Sequence, residues 1–373
     1  MAERLTSEPE ATGVAAGPAA DLAAGMAAGV SPDHIMQVAL GFMPAKTLLS
    51  AVELGLFTTL ADPKLSAGGL TGEALCVELD LHPRCNPDFV DSLAALGMLE
   101  REGSGPTALY RNTPASARFL DANSPDYIGG FLLMSNERLY PFWGRLTEGL
   151  RTGKAQNEIA TVGKPLFESL YADPERMGLF LEGMSGISRS RFMALAEHYD
   201  FSRHACLCDV GGALGLLALT VAERFPRLEA MTADIDVVTP HARRKIEEAG
   251  LADQVQAVTV DMFTDPLPHC DVMTMSMILH DWNLEKKRQL IAKAFDALEP
   301  GGAFIAIDHM IDDDRRQNVA GLMLSLTMLI ETGDGFDYTA ADFFNWCEAA
   351  GFRRGEVIPL GGGSAAAVAY KPE

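Results

Sequence analysis

A glycine-rich turn follows an apolar segment at residues 205–210, with an aspartate just before it. The run reads Asp209, Val210, Gly211, Gly212, Ala213, Leu214, Gly215. Glycine lets the backbone turn sharply and approach a ligand closely. The Gly-Gly-x-x-Gly spacing differs from the Gly-x-Gly-x-x-Gly of dinucleotide sites, and a carboxylate before the glycines suits an amine or hydroxyl donor better than a pyrophosphate. The motif therefore favours a nucleoside-type cofactor over a dinucleotide.

Two further apolar segments end in acidic residues. The first ends at Asp234, in the position where an acid typically holds ribose hydroxyls. The next is followed by Asp261, Met262 and Phe263, an acid that can accept from an adenine amino group and two apolar side chains that can cover its ring. Because the carboxyl ends of parallel strands share one edge of a sheet, these acids and Asp209 predict a nucleoside site there.

A histidine follows the fourth apolar segment, in the run Ile278-Leu279-His280-Asp281-Trp282. With an ordinary pKa near 6.5, His280 can remove a proton from a hydroxyl acceptor, and a phenol of pKa near 10 needs such a base. Asp308 and Asp337 are the carboxylates that can orient its imidazole. The alternative is a structural histidine that caps the following helix.

Alternating strands and helices must position these groups. From about residue 204 the pattern predicts a doubly wound parallel sheet of the Rossmann-like α/β class. The predicted strands are 205–210, 228–234, 255–260, 271–277 and 303–308, and the predicted helices are 214–224, 239–249 and 284–298. Strands near 355–359 and 365–370 flank three glycines and predict an antiparallel hairpin at the sheet edge.

The first 200 residues divide into three predicted parts. Residues 1–30 are rich in Ala, Gly and Pro and are expected to form a disordered tail. A helix is expected to begin at Ser31-Pro32-Asp33 and a second near Lys46–Leu54, both apolar enough to need a partner surface. Together with a hairpin over 99–112, these helices predict a winged-helix unit over 31–120, followed by a helical region over 121–200 and the cofactor domain over 201–373.

The composition narrows the possible partners. The chain has 373 residues and a formal net charge of −21, which disfavours nucleic acid and anionic membrane surfaces as partners. Its six cysteines lack the spacing of a metal site or a disulfide scaffold, so no metal is expected and a reducing cytoplasm fits. Neither a signal peptide nor an apolar run of about 18 residues is found, so we expect a cytoplasmic protein that acts on a small molecule.

These motifs together resemble those of the plant-type O-methyltransferases, the caffeate and acetylserotonin type, in a bacterial branch. The matching segments are LCDVGGALG, the acid of TADID, DMFTDPLP, ILHDW, the EPGG turn and the final hairpin, within about residues 31–371. The resemblance implies an N-terminal winged-helix dimerisation domain, a class I methyltransferase domain and a homodimer. It implies S-adenosylmethionine as cofactor and S-adenosylhomocysteine as product.

The resemblance also implies roles for individual residues. His280 would be the base, flanked by Asp308 and Asp337. The residues implied or expected at the cofactor are Asp209, Gly211, Gly212, Gly215, Asp234, Asp261, Met262, Phe263 and Ser188. The residues expected to line the acceptor pocket are Met134, Tyr140, Phe142, Trp143, Met184, Arg191, Met277 and Met328, although methionine-rich and aromatic stretches are more often plain core.

The sequence departs from the family pattern at three positions. The family usually has glycine where Ala213 stands and glutamates where Asp308 and Asp337 stand. Aspartate is one methylene shorter, so we expect these acids to hold the histidine more loosely. Arg189 and Arg191 follow Ser188 on a predicted helix, where an arginine can bind a carboxylate bidentately or simply face solvent.

Three hypotheses for the reaction follow. The first is O-methylation of a hydroxyl with His280 as base. The second is S-methylation of a small thioether carboxylate such as 4-methylthio-2-hydroxybutyrate, as in dimethylsulfoniopropionate synthesis, or C-methylation of a small acid. A thioether has a free lone pair and needs no base, so His280 would be dispensable there. The third is a protein that binds the cofactor without methyl transfer, against which the intact motifs argue.

Overall fold

The computed structural model describes residues 31–158, 163 and 171–373. The predicted disordered tail over 1–30 lies outside the described residues. The boundaries at residues 30, 120 and 200 stay a prediction.

The N-terminal part consists of short helices around a small antiparallel sheet. A core formed by residues such as Phe57, Leu75, Leu93 and Tyr110 holds these elements together. The sheet has the order β1-β3-β2, and β2 and β3 form the predicted wing. The elements are α1 Asp33–Ala39, α2 Phe42–Glu53, α3 Leu56–Ala61, β1 Leu70–Thr71, α4 Gly72–Glu78, α5 Asp88–Ala95, β2 Leu99–Glu102, β3 Leu109–Asn112 and α6 Pro114–Phe119.

The first two helices begin at residues other than those predicted. Pro32, and not Ser31, is the residue before the first helical position, although the Ser31 hydroxyl accepts a hydrogen bond from the Asp33 amide at 3.1 Å. Helix α2 begins at Phe42, four residues before the predicted Lys46. The prediction missed this first turn because the apolar residues of the helix continue towards the N-terminus beyond Lys46.

Helices α1 and α2 expose an unusual amount of apolar surface. Ile35 is 69% exposed, Val38 66% and Phe42 53%, and α1 buries no residue at all. By length and composition alone, Asp33–Glu53 could cross a membrane, and it is the one such segment in the part of the chain that the structure describes. A turn at residues 40–41 divides it, and α2 buries Ala51 and Val52 in the core of its own domain. These features fit an interface helix of a folded domain.

A helical region joins the two domains. Helix α7 packs against α10 where Gly130 meets Gly183, since a Cβ built on Gly183 would lie 3.0 Å from the backbone nitrogen of Phe131. A π-helical turn over Ser135–Leu139 follows α7 and places Arg138 in a buried ion pair with Glu331 at 2.8 Å. The helices are α7 Gly129–Met134, α8 Tyr140–Trp143, α9 Leu146–Thr152 and α10 Pro174–His198.

The C-terminal part is a seven-stranded sheet of order β6-β5-β4-β7-β8-β10-β9. The first five of these strands run parallel and β10 is antiparallel to both β8 and β9, so the predicted α/β class and edge hairpin are confirmed. The strands are β4 Cys206–Val210, β5 Glu229–Asp234, β6 Val255–Thr259, β7 Cys270–Ser276, β8 Leu298–Asp308, β9 Arg353–Gly361 and β10 Ser364–Tyr370. The helices are α11 Leu216–Arg224, α12 Thr239–Glu248, α13 Leu284–Ala297, α14 Val319–Glu331 and α15 Ala340–Ala350.

Helices cover both faces of this sheet, which explains why its strands are almost continuously apolar. One buried cluster joins the sheet to α13 and α15, and another joins it to α10 and α11. Strand β8 begins at Leu298, five residues earlier than predicted, and so includes the EPGG residues. An irregularity in the pairing of β7 with β8, between Cys270 and Val272, accommodates these residues in the strand. The carboxyl ends of β4, β5, β6, β7 and β8 therefore meet at one edge.

Candidate active site

The glycine-rich turn after β4 has no room for a side chain at Gly212. A Cβ built on Gly212 would lie 2.2 Å from the Thr232 hydroxyl and 2.7 Å from a carboxylate oxygen of Asp209. Gly211 and Gly215 have φ angles of +69° and +78°, a region that favours glycine. The turn therefore needs glycine for both conformation and space, as the sequence motif predicts.

Ala213 departs from the family pattern within this turn. It adopts a φ of +50°, which costs a residue with a side chain about 1–2 kcal/mol relative to glycine. Its amide donates to Asp234 at 2.9 Å, and this contact holds the turn against the end of β5.

Two predicted cofactor acids lie beside the turn. Asp209 is 2% exposed and accepts a hydrogen bond from the Thr274 hydroxyl at 2.6 Å. Burial raises the pKa of Asp209 to about 7, against the hydrogen bond from Thr274. Asp234 accepts from the Ile235 amide at 2.8 Å in addition to that of Ala213, and burial raises its pKa as well. Each carboxylate oxygen keeps a second lone pair for a ligand donor.

The third acid and its apolar neighbours close the other side. Asp261 accepts from the amide of Phe263 at 2.9 Å, and that hydrogen bond lowers the pKa of Asp261. The methyl carbon of Met262 lies 3.7 Å from the Cβ position of Gly211, and the ring of Phe263 packs edge-on against Trp282 at 4.7 Å. An adenosyl ligand therefore fits this edge. The carboxylates can accept its hydrogen bonds, the glycine turn allows its close approach, and the two apolar side chains can cover its adenine ring.

His280 lies in a 3-10 turn after β7, two residues after Ile278, whose side chain packs against Gly211 of the cradle, and His280 is 3% exposed. Its Nδ1 is 3.3 Å from Oδ1 of Asp337, close enough for an ion pair but without the alignment of a hydrogen bond, and its Nε2 is 3.6 Å from Oδ1 of Asp281. Burial alone would lower the pKa of His280, but Asp281, Asp337 and Asp308 outweigh it and raise the pKa to about 10. The surrounding carboxylates therefore make this imidazole an unusually strong base.

The two acids predicted beside His280 are both buried, and each keeps free oxygen atoms. Asp308 Oδ2 accepts from the Tyr338 hydroxyl, whereas its Oδ1 and both oxygens of Asp337 have no hydrogen-bond partner. Burial raises the pKa of Asp308 to about 7, against the opposing pull of His280. The ligand atoms of His280, Asp308 and Asp337 lie within 4.8 Å of one another, a group that could by geometry alone hold a metal ion, and the expectation that no metal is bound stays a prediction.

Sequence reasoning assigned no role to Asp281 or Lys287. Burial raises the pKa of Asp281 to about 6 beside the imidazole. The ammonium of Lys287 is fully buried and donates to the carbonyl oxygens of Trp282 and Phe336, which joins the His280 turn to the Asp337 loop. The sequence does carry one signal for Lys287, which is its position on α13. It precedes the buried Leu290 and Ile291 by three and four residues and so shares their helix face, where a charged residue is unexpected.

Helix α10 brings three predicted residues to the region and turns a fourth away. Ser188 and Arg191 are buried at 5% and 7% exposure, and Met184 is partly buried. Arg189 is exposed, so for Arg189 the solvent-facing alternative is the observed one. Arg191 lies near enough to Asp308 for that carboxylate to oppose the lowering of the Arg191 pKa by burial.

The apolar residues predicted to line an acceptor pocket occupy different surroundings. Met134 and Met328 are buried, and Met277 adopts a φ of +57° just before the His280 turn. The Tyr140 hydroxyl points to the Phe42 carbonyl of the N-terminal domain at 3.5 Å. Phe142 and Trp143 are partly buried in α8. Helix α8 packs against α14, and α14 also contacts the His280 turn.

Tyr171 is a further residue near the cradle that sequence reasoning did not single out. Its hydroxyl is buried close to Asp234 and Asp281, and burial raises its pKa. It packs with Leu214 and Ala213 of the glycine-rich turn in one small apolar cluster. Tyr171 thus covers the junction between the predicted cofactor and acceptor sides.

Family models match most of this architecture. Residues 143–353 match an O-methyltransferase domain, and residues 36–122 match an O-methyltransferase dimerisation domain. The second match includes the exposed Val38 of α1 and Phe42 of α2, and Ile35 lies just before it.

Individual proteins are similar over nearly the whole chain. The chain is 39% identical to the tetracenomycin polyketide synthesis 8-O-methyl transferase TcmO of Streptomyces glaucescens, over 91% of this chain and 97% of TcmO. It is 33% identical to the N,N-dimethyltransferase OxyT of Streptomyces rimosus, over 86% of this chain and 90% of OxyT. It is 32% identical to the 3-hydroxy-5-methyl-1-naphthoate 3-O-methyltransferase of Streptomyces sahachiroi, over 86% of this chain and 89% of that enzyme. The crystal structure of human N-acetylserotonin methyltransferase with S-adenosylmethionine superposes with a TM-score of 0.83 at 27% identity, over 97% of this chain and 100% of that one.

Proposed function

The chain belongs to the S-adenosylmethionine-dependent O-methyltransferase family that carries an N-terminal dimerisation domain, and from this premise we propose that it methylates a phenolic hydroxyl with His280 as base. The observation that carries the proposal is the buried imidazole of His280 between Asp337 and Asp281, beside the glycine cradle. The TcmO and naphthoate relatives, both named for O-methylation, support a hydroxyl acceptor on an aromatic or polyketide framework.

The cofactor would be held at the strand ends. The glycine turn at 211–215 accommodates its close approach, the acids Asp209, Asp234 and Asp261 accept from its amino and hydroxyl groups, and Met262 and Phe263 cover its adenine. Ser188, buried on α10, would contact the cofactor from that helix. When bound, S-adenosylmethionine supplies a methyl group already activated on a sulfonium.

His280 would take the hydroxyl proton as the acceptor oxygen becomes a nucleophile. The pKa of His280, about 10, matches that of an ordinary phenol, so the proton moves between the two at little cost in free energy. Asp337 and Asp308 then stabilise the imidazolium in a site where burial strengthens each electrostatic interaction. An aliphatic hydroxyl is much less acidic and would gain less from this base.

The protein would act as a homodimer in the cytoplasm. The exposed apolar residues of α1 and α2, most of them within the matched dimerisation domain, need a partner surface, and a second copy of the chain supplies one. The net charge of −21 favours a small-molecule substrate over nucleic acid or a membrane surface.

An amine acceptor is the second candidate, favoured by the similarity to the N,N-dimethyltransferase OxyT. An amine must also lose a proton, so His280 would serve in either case. The relatives named above give no support to S-methylation of a thioether carboxylate or to C-methylation of a small acid.

The proposal is tested by incubating the protein with S-adenosylmethionine and a panel of phenols, aromatic amines and thioethers. We expect S-adenosylhomocysteine and a methyl ether, both detected by mass spectrometry. His280→Ala should lower kcat for the phenol by about 10²–10⁴-fold, the usual contribution of a general base. His269→Ala, at a side chain 77% exposed, is the matched control. A His280→Ala enzyme with full phenol activity, or activity towards thioethers alone, would contradict the proposal, and loss of activity with EDTA would instead favour a metal at His280.

A further inference from the structure

Arg191 is a buried arginine without a partner. It is 7% exposed, its Nη1 atom is fully buried without a hydrogen bond, and no ion pair to it is found within the part of the chain that the structure describes. Buried charges in proteins are normally paired, because removing an ion from water is costly. The other buried arginine, Arg138, shows the usual arrangement, with ion pairs to Glu158 and Glu331 at 2.8 Å.

The position of Arg191 places it beside the catalytic cluster. It follows the buried Ser188 by one turn of α10 and lies within electrostatic range of Asp308 and of His309, the residue after it. Asp308 attracts Arg191 without pairing with it, since no Arg191–Asp308 ion pair within 4.0 Å is found among the described residues and Asp308 Oδ2 accepts from Tyr338. Arg191 therefore presents an uncompensated guanidinium on the α10 side of the site that holds His280.

A guanidinium in such a site selects a particular chemistry. Its planar fork of donors matches a carboxylate bidentately and stays protonated at any ordinary pH. The surrounding acids, Asp281, Asp308 and Asp337, would repel an anion, so a carboxylate is expected to bind only in direct contact with the guanidinium of Arg191.

We propose that the acceptor carries a carboxylate that binds Arg191 while its hydroxyl faces His280. The substrate class is then a hydroxy-substituted aromatic acid, and Arg191 determines specificity without taking part in proton transfer. This inference rests on the proposed function, because it assigns the same site its acceptor.

The experiment measures binding separately from turnover. Isothermal titration calorimetry with saturating S-adenosylhomocysteine compares 3-hydroxy-2-naphthoate with its neutral amide, 3-hydroxy-2-naphthamide. The wild-type protein should bind the acid at least tenfold more tightly than the amide. Arg191→Met should remove that preference by weakening only the acid, whereas Arg189→Met, at the exposed arginine of the same helix, should retain it.

Thermal unfolding supplies a readout that a structural role would not share. Because Arg191 has no partner to lose, Arg191→Met should leave the melting temperature unchanged or raise it. Equal affinity of the wild-type protein for the acid and the amide, an unchanged preference in Arg191→Met, or a fall of several degrees in its melting temperature would overturn the inference.

Turnover distinguishes the two proposals. Binding of the acid through Arg191 without methylation of either naphthol would contradict the proposed function and leave this inference standing. Methylation of both compounds without a binding preference would do the reverse.

Discussion

Substitution of Asp337 by asparagine should lower the pKa of His280 and shift the pH dependence of the reaction. The two side chains are nearly isosteric, so the change removes a charge 3.3 Å from the imidazole Nδ1 and little else. Two unit charges at that distance attract by about 5 kcal/mol at an effective dielectric constant of about 20. At about 1.36 kcal/mol per pKa unit the Coulomb limit is roughly 4 units, and neighbouring charges usually shift a pKa by about 1–3 units.

The sign follows from which form of His280 is active. The pKa of His280 is raised to about 10, so the imidazole is protonated near neutral pH and kcat/KM for a phenol should rise with pH up to about that value. In Asp337→Asn the charged form loses its partner, the pKa falls, and the rising limb should move about 1–3 units towards lower pH. The plateau of kcat should also fall, because the imidazolium that forms during proton transfer loses the neighbouring charge that stabilises it.

The assay is initial-rate formation of S-adenosylhomocysteine between pH 7.5 and 10.5. Asp281 and Asp308 titrate below this range, with pKa values of about 6 and 7, whereas burial lowers the pKa of Lys287 to about 8, so the limb to be followed for His280 is the one near pH 10. Asp334→Asn is the matched control, since this exposed aspartate lies in the same loop and accepts only from Asn283 at 2.8 Å. An unshifted limb in Asp337→Asn, or the same shift in Asp334→Asn, would refute the electrostatic account of the base.

Three other substitutions test the remaining parts of the structure. Gly212→Ala should abolish S-adenosylhomocysteine binding by calorimetry, because its Cβ would lie 2.2 Å from a threonine hydroxyl, whereas Ala213→Gly should retain binding, and equal binding by both variants would contradict the cradle. Arg138→Met should destabilise the protein by about 3–5 kcal/mol in urea unfolding, since it leaves the buried carboxylate of Glu331 without its ion pair, while Arg176→Met at an exposed pair should stay within about 0.5 kcal/mol. Phe42→Asp should convert the expected dimer into a monomer in light scattering, and an unchanged mass would remove this face from the interface.

The fold class and the cofactor edge could be predicted from local patterns. Apolar strands alternating with helices require a covered parallel sheet, and the acids at their ends then share one edge. Asp209, Asp234 and the glycines between them are consecutive features of two strands, so short-range order suffices to place them together. The segments at Met262 and His280 follow the next strands of the same sheet.

The surroundings of His280 and Arg191 could not be predicted in the same way. Asp337 reaches the imidazole from a loop 57 positions further along the chain, and only the packing of that loop sets its distance of 3.3 Å. Helical periodicity did not distinguish Arg191 from Arg189, because the buried face of α10 depends on what packs against it. Lys287 likewise reads as a surface residue until the loops that receive its hydrogen bonds are in place.

The amino-acid sequence by itself determined which chemical groups stand at the strand ends, because residue type and period fix a strand, a turn and the edge they reach. Tertiary structure alone decided how strong a base His280 is and which arginine is enclosed. Both depend on burial and on charges brought from distant segments, and an electrostatic interaction varies with separation and local dielectric, which no local pattern encodes.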